Sequence, residues 1–205
     1  MDRYVEMHYY LTQLKNGFIH KNRTKLLDTF HDFAVLNQSL VAATLSQINP
    51  AESEVFWNFV ESVCDHTHIW RDFICSEFSR LVSAANIMKD PSPVINSLEA
   101  FHILKDTGDK ILAENMKGII KDNLQTQNAT LKRFLVWLFA NCINNLSESE
   151  LNLVKNLRFD DDVIVRYYAF ISYNKYKGYP ADKGLSEFDK LIIDISDIYV
   201  CDPAF

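Results

Sequence analysis

The chain of 205 residues contains only five glycines, and no two of them lie close enough together to form a phosphate-binding loop. Dinucleotide-binding and P-loop folds need clustered glycines, because the backbone amides must approach the phosphate closely. The sequence therefore argues against both folds, and we expect no cofactor.

Patterns typical of catalytic or metal sites are also missing. No Gly-x-Ser-x-Gly, His-Glu-x-x-His or Cys-x-x-Cys pattern occurs, and the six histidines are scattered. The one cluster of metal-ligand types contains Cys64, His66 and His68, with Asp72 or Cys75 available as a further ligand. Since this cluster falls at a helix junction, where histidine often caps carbonyl groups, we expect a polar loop and no metal site. We therefore expect a protein that is not an enzyme.

Long apolar runs and targeting signals are absent as well. The longest apolar run, residues 134–140, is far too short to cross a bilayer. The first residues do not show a charged segment followed by an apolar run, which a secretory signal would require. The four cysteines lack paired spacing, so a reducing cytoplasm is the expected compartment and no membrane association is expected.

Positive charge is in deficit, and the net charge is −6 at pH 7. Residues 51–92 and 147–205 each have a net charge of about −4, whereas residues 1–50 and 93–146 are each near +1. A negative field repels nucleic acid, so we expect no nucleic-acid binding. The same field attracts a basic protein and speeds its capture.

What the sequence does contain is helical periodicity throughout. Hydrophobic residues make up 48% of the chain, enough for a substantial core. The spacing predicts helices over residues 3–14, 24–47, 55–64, 69–88, 94–104, 110–120 and 131–143, and two short helices within 151–173. It also predicts a last helix that begins near Ser186 and buries Phe188 and Leu191. Residues 173–184 are expected to form a polar loop. The prediction is a single all-α domain over residues 1–205, with a soft boundary near residues 90–93, where two prolines interrupt the pattern.

The stretch 151–173 has the most informative pattern. Asp162, Val165, Arg166 and Ala169 follow an acidic turn in the arrangement Asp-x-x-Val-Arg-x-x-Ala. This pattern resembles the turn and second helix of a HEAT repeat. The resemblance implies that the aspartate caps the second helix, that the arginine extends along neighbouring turns, and that Val165 and Ala169 face the paired helix. It also implies a HEAT-like α-solenoid of stacked antiparallel helix pairs, with an irregular helical bundle as the alternative.

A second, fainter copy of this pattern lies 53 residues earlier. Leu104, Asp109, Leu112 and Met116 correspond to Leu157, Asp162, Val165 and Ala169, while Ala113 stands in the place of the arginine. Helical repeats act mostly as binding surfaces. The resemblance therefore implies a protein-binding module.

The candidate binding surface is acidic and tyrosine-rich and lies towards the C-terminus. Tyrosine supplies a large rigid contact area, and carboxylates supply charge for a basic partner. A solvated face with tyrosines at the edge of the core fits the same pattern equally well. The residues that we expect to bind a partner are Asp160, Asp161, Tyr167, Tyr176, Glu187, Asp194, Asp197 and Asp202.

Size, acidity and the lack of a catalytic pattern also suggest a role. In general character the chain is similar to bacterial immunity proteins of contact-dependent growth inhibition systems, which bind and block secreted toxins. That resemblance implies an inhibitor of a basic toxin, such as a nuclease. A helical adaptor in a larger assembly is the alternative, and a metal-dependent enzyme using the Cys64–His68 cluster is a third. The sequence leaves the oligomeric state open.

Overall fold

The structure, a computed structural model, describes residues 2–17, 23–90, 92–95, 109–141 and 146–195. Within these ranges the chain forms eleven α-helices and no β-strand. The prediction of an all-α protein is confirmed. The chain packs as two compact units, Met1–Ile119 and Ile120–Phe205. The boundary predicted near residues 90–93 falls within the first unit and stays a prediction.

Among the residues that the structure describes, the first unit contains six complete α-helices and most of a seventh. They are α1 (Arg3–Lys15), α2 (Arg23–Leu36), α3 (Gln38–Leu45), α4 (Glu54–Ser62), α5 (Thr67–Met88), α6 (Ser92–Ile95) and α7 (Lys110–Asp122), the last three residues of which belong to the second unit. Short 3₁₀ helices, Pro50–Glu52 and Cys64–His66, precede α4 and α5. The helix predicted over residues 94–104 lies mostly outside the described residues.

Aromatic side chains form the core of the first unit. The ring of Phe59 on α4 is fully buried, and its centroid lies 5.0 Å from that of Trp70, 5.8 Å from Phe73 and 6.3 Å from Phe30. The rings meet mostly edge to face, a favoured arrangement that adds to the stabilisation from burial. This cluster joins α2 and α5 to α4.

Asn37 interrupts residues 24–47, which the periodicity predicts to be one long helix. The structure has two helices there, and the prediction of a continuous helix is wrong. Asn37 lies between them with φ −127° and ψ 35°, and its side-chain amide donates to the carbonyl of Phe33 at 2.8 Å. A side chain that hydrogen-bonds nearby backbone competes with the helix, and the α-helix is interrupted at this residue.

The second unit is arranged around one helix. It contains α8 (Ala129–Asn141), α9 (Glu148–Leu157), α10 (Val163–Lys177) and α11 (Glu187–Ile195), and α10 packs against the other three. Val165 and Ala169 on α10 are fully buried, and α8 contributes Leu135 and Phe139 to the same core. Small Ala169 lets neighbouring helices approach α10 closely.

Two predictions about the end of the chain are wrong. Residues 173–177 are helical, because α10 continues until Gly178, which ends it in the left-handed conformation with φ 67°. Phe188 and Leu191 on α11 are exposed, and the buried residue of that turn is Asp189. None of the described helices combines the length and apolar character that crossing a membrane requires.

Candidate functional site

The acidic turn before α10 is held together by its own carboxylates. Asp162 is the N-cap of α10, and one of its oxygens accepts hydrogen bonds from the amides of Ile164 at 2.9 Å and Val165 at 3.2 Å. The other oxygen accepts from Nε of Arg133 at 2.8 Å. Burial alone would raise the pKa of the Asp162 carboxyl, but these donors outweigh burial and lower its pKa. This carboxylate therefore has a structural role.

Arg166 links the turn to α11. One end of its guanidinium donates to the carbonyl oxygens of Asp160 at 2.8 Å and Asp161 at 3.0 Å. The other end pairs with the buried carboxylate of Asp189, whose hydrogen bond from Arg166 lowers its pKa. The same partner raises the pKa of Arg166. Asp189 is a site of charge pairing that the sequence patterns did not identify.

The first unit repeats the capping arrangement at the fainter copy of the pattern. The carboxylate of Asp109 accepts from the amide of Leu112 at 3.1 Å, from Nε of Arg71 at 2.9 Å and from the hydroxyl of Thr67 at 2.9 Å. Burial would raise its pKa, but these donors lower it. Leu112 and Met116 are fully buried. Each copy therefore places an aspartate at the start of a helix and an arginine against it.

The remaining carboxylates of the turn differ from each other. Asp160 pairs with Nζ of Lys132 at 2.5 Å and is mostly buried, whereas Asp161 is exposed. Lys132 and Arg133 on α8 therefore hold two of the three aspartates. Asp161 is the one that still faces solvent. Whether Asp160 and Asp161 bind a partner stays a prediction.

The other predicted carboxylates lie on or beyond α11. Glu187 is 89% exposed in its side chain and pairs with Lys190 at 3.0 Å. Asp194 is within α11, but its side chain is not among those described, and Asp197 and Asp202 lie outside the described residues. Among the predicted carboxylates whose side chains the structure describes, Asp160 and Asp161 lie together in the turn before α10, and Glu187 lies in the first turn of α11.

Three tyrosines of this region, Tyr173, Tyr176 and Tyr179, lie beside cations. Tyr167 is partly buried and contacts Tyr168, whereas Tyr176 is 45% exposed with Nζ of Lys177 5.2 Å from its ring centroid. Tyr173 lies 4.3 Å from the guanidinium of Arg158. The cation–aromatic cluster, as we name this set, consists of Arg158, Tyr173, Tyr176, Lys177, Tyr179 and Lys183. The spacing of Tyr173, Tyr176 and Lys177 along one helical face was the signal available in the sequence.

Three exposed aspartates of the first unit, Asp28, Asp32 and Asp65, lie near a pair of histidines. The rings of His31 on α2 and His66 before α5 stack with centroids 3.9 Å apart. Nε2 of His31 is buried and has no hydrogen-bond partner among the described residues. Burial and the neighbouring His66 lower the pKa of His31, so the ring is neutral at pH 7. The acidic–histidine surface, as we name it, consists of Asp28, His31, Asp32, Asp65, His66 and His68.

The cluster considered for a metal shares His66 and His68 with this surface. His66 faces His31 with its ring, and its ring centroid is 6.2 Å from that of His68. Burial raises the pKa of the Cys64 thiol, and the nearby Asp65 raises it further, which disfavours the thiolate that binds metals. Among the residues that the structure describes, no three or more histidine, cysteine or carboxylate side chains are arranged to hold a metal ion.

Comparison with known proteins adds no assignment. No protein-family model matches the chain, and neither the curated proteins nor the solved structures contain a match.

Proposed function

We propose that the chain is a non-catalytic protein-binding module whose partner is a basic protein. The observation that supports this is the acidic–histidine surface. Its aspartates, Asp28, Asp32 and Asp65, are exposed, and no lysine or arginine side chain that the structure describes pairs with them. Asp72, one helical turn from His68 on α5, is exposed in the same way.

The contrast with the other carboxylates supports the proposal further. Asp109, Asp160, Asp162 and Asp189 have mostly buried side chains, and each pairs with an arginine or lysine. Those carboxylates stabilise the fold. The aspartates around His31 and His66 have no such role among the described contacts, so their charge is available to steer a basic partner and to pair with it.

The more specific role that we propose is an immunity protein that blocks a basic toxin, such as a nuclease. A toxin that binds nucleic acid has a cationic active-site groove, and exposed carboxylates would pair there in place of phosphates. Charge complementarity of this kind raises the association rate more than it strengthens the final complex. This role requires a fold that presents a charged surface, and the exposed aspartates of the acidic–histidine surface supply that charge.

The architecture that we propose with this function is HEAT-like stacking of helix pairs. It is supported by the pair α9 and α10, by the cap at Asp162 and by Arg166, which spans from the turn to α11. An experimental structure tests it directly. Successive helix pairs related by a constant rotation are expected, and pairs packed without such a relation would instead establish an irregular bundle.

Co-purification tests the function. The tagged chain is expressed with its native neighbouring reading frames, isolated at low salt, and its companions are identified by mass spectrometry. We expect one small basic protein that raised salt releases and whose toxicity to cells the chain suppresses. Several large partners that remain bound at high salt would favour the adaptor instead.

Matched charge variants locate the surface. The variant D28N/D32N/D65N removes three negative charges from the acidic–histidine surface, whereas E54Q/D122N/E148Q removes three exposed ones elsewhere. We expect the first variant to lower the association rate with the basic partner by about tenfold or more, and the second to change it little. Equal association rates for the two variants would exclude this surface.

A further inference from the structure

The C-terminal end of α10 has the opposite charge to the chain as a whole. Lys175, Lys177 and Lys183 are exposed in this region, and Arg158, whose guanidinium lies 4.3 Å from the ring centroid of Tyr173, is partly exposed. The one acidic residue in the loop that follows, Asp182, pairs with Lys190 at 3.5 Å. An acidic protein therefore presents a concentrated positive surface on its second unit.

Exposed rings alternate with these cations. Lys177 lies 5.8 Å from the ring centroid of Tyr173 and 5.2 Å from that of Tyr176, and Lys183 lies 3.3 Å from that of Tyr179. Arg158 also lies near Phe159, which is 78% exposed. Tyrosine and arginine are enriched among the residues that dominate binding energy at protein interfaces. Rings placed this close to exposed cations are more typical of a binding surface than of isolated solvated lysines.

The backbone that presents the cation–aromatic cluster is held in place. The buried side-chain amide of Asn174 donates to the carbonyls of Ala181 and Lys183, both at 2.8 Å. The amide of Tyr179 donates to the carbonyl of Asn174 at 2.9 Å, and Gly178 supplies the left-handed turn between them. The loop is thereby folded back onto the end of α10. A surface that is already ordered loses less entropy when it binds.

We propose that the cation–aromatic cluster is a docking surface for an acidic peptide segment of a partner protein, with aromatic or aliphatic side chains among its carboxylates. The lysines and Arg158 pair with the carboxylates, and the rings of Tyr176 and Tyr179 pack against the apolar side chains. This surface lies within the second unit. It stands whether or not the first unit binds a basic protein.

A peptide fits this surface better than a nucleic acid does. Asp161 and Glu187 are exposed on the same unit, and the whole chain has a net charge of −6. A long phosphate backbone needs a continuous cationic track, because its affinity comes mainly from many phosphate contacts. A short acidic segment needs only the few cations at the end of α10.

Selection from a library of short random peptides tests the proposal with the full chain. The unmodified protein is the bait, and enriched peptides are measured by fluorescence anisotropy. We expect enrichment of aspartate and glutamate together with aromatic residues. Enrichment of basic peptides, or no enrichment above the empty support, would overturn the proposal. If oligothymidylate bound more tightly than any selected peptide, the surface would be a nucleic-acid site and the proposal would also be overturned.

Two variants assign the binding to this surface. Y176A/K177E/K183E changes one exposed tyrosine and two exposed lysines of the cluster, and Y4A/K25E/K110E makes the same changes on the first unit. We expect the first to weaken peptide binding by about tenfold or more and the second to leave it within about twofold. Equal loss in both would overturn the proposal. The milder K177Q/K183Q, with unchanged helical circular dichroism, provides the same comparison if the first variant fails to fold.

Discussion

The carboxylate of Asp162, which caps α10, also accepts a hydrogen bond from Arg133 on α8, with 2.8 Å between Nε and Oδ2. One aspartate therefore starts a helix and ties that helix to a neighbour in the core of the second unit. Asp109 and Arg71 repeat this relationship in the first unit at 2.9 Å. The capping aspartate and its arginine are thus a recurring structural device in the chain.

Replacing the capping aspartate should destabilise the protein in a graded manner. Asp162→Ala removes the cap and leaves Arg133 without its carboxylate, so we expect the free energy of unfolding to fall by about 2–3 kcal/mol. Asp162→Asn keeps a good cap and loses only the charge, so a loss of about 1 kcal/mol is expected. Urea denaturation followed by circular dichroism measures both. Asp161→Ala, at the exposed neighbour, is the control and should stay within about 0.5 kcal/mol. An equal loss at Asp161 and Asp162 would contradict the assigned role.

The pairing of Arg133 with Asp162 should also show in the response to acid. Because the pKa of Asp162 is lowered in the folded state, the pairing stabilises the protein above the ordinary aspartate pKa. That stabilisation is lost as the pH falls through the lowered value, below about pH 4. We therefore expect Arg133→Gln to unfold more easily than the wild type by about 1 kcal/mol at pH 6, with the difference shrinking towards pH 2. Lys155→Gln, at an exposed position, is the control. A difference that stays constant with pH would contradict the linkage.

Much of the fold could be predicted because local signals and packing agree. Asn49 and Pro50, a good cap followed by a good first helical residue, start a short 3₁₀ helix, with the amide of Ala51 donating to the Asn49 side chain at 3.0 Å. Asp162 caps α10 as its pattern implies, and Ser147 and Glu150 form a capping box. These signals act within a few residues, so they can be recognised without knowing the tertiary structure.

What could not be predicted depends on partners that are distant in the sequence. Asp189 is buried, and Arg166, 23 residues away, supplies its countercharge. His31 and His66 stack across 35 residues, and nothing near either residue indicates the other. The cation against the ring of Tyr173 is Arg158, which lies on another element. Charge counted along the chain placed Tyr176 beside carboxylates, although the charged group described against its ring is Lys177.

Two glycines should respond in opposite ways to alanine. Gly178 has φ 67°, where a Cβ is strained, so Gly178→Ala should cost about 1 kcal/mol of unfolding free energy. Gly118 lies inside α7, and a Cβ built there meets nothing within 4 Å. Gly118→Ala should therefore stabilise the protein by about 0.5–1 kcal/mol, since alanine favours helix and restricts the unfolded chain. Thermal unfolding of the two variants measures the signs. The same sign for both would contradict the backbone geometry.

The histidine pair His31 and His66 should make the free energy of unfolding depend on pH above the range in which carboxylates titrate. Burial, together with the neighbouring His66, lowers the pKa of His31, so the folded state resists protonation of a ring that the unfolded chain protonates readily. Protons then bind the unfolded state preferentially, and the free energy of unfolding falls as the pH drops below the ordinary histidine pKa of about 6.5. His31→Phe keeps a planar ring against His66 and cannot titrate.

We expect denaturation curves at pH 7 and pH 5 to show a smaller loss of stability for His31→Phe than for the wild type. At pH 7 the variant should be at least as stable, because phenylalanine also removes the buried Nε2 that lacks a partner among the described residues. His8→Phe, at an exposed position on α1, is the control and should keep the dependence of the wild type. If His31→Phe lost as much stability as the wild type between pH 7 and pH 5, the dependence would have to come from groups other than His31.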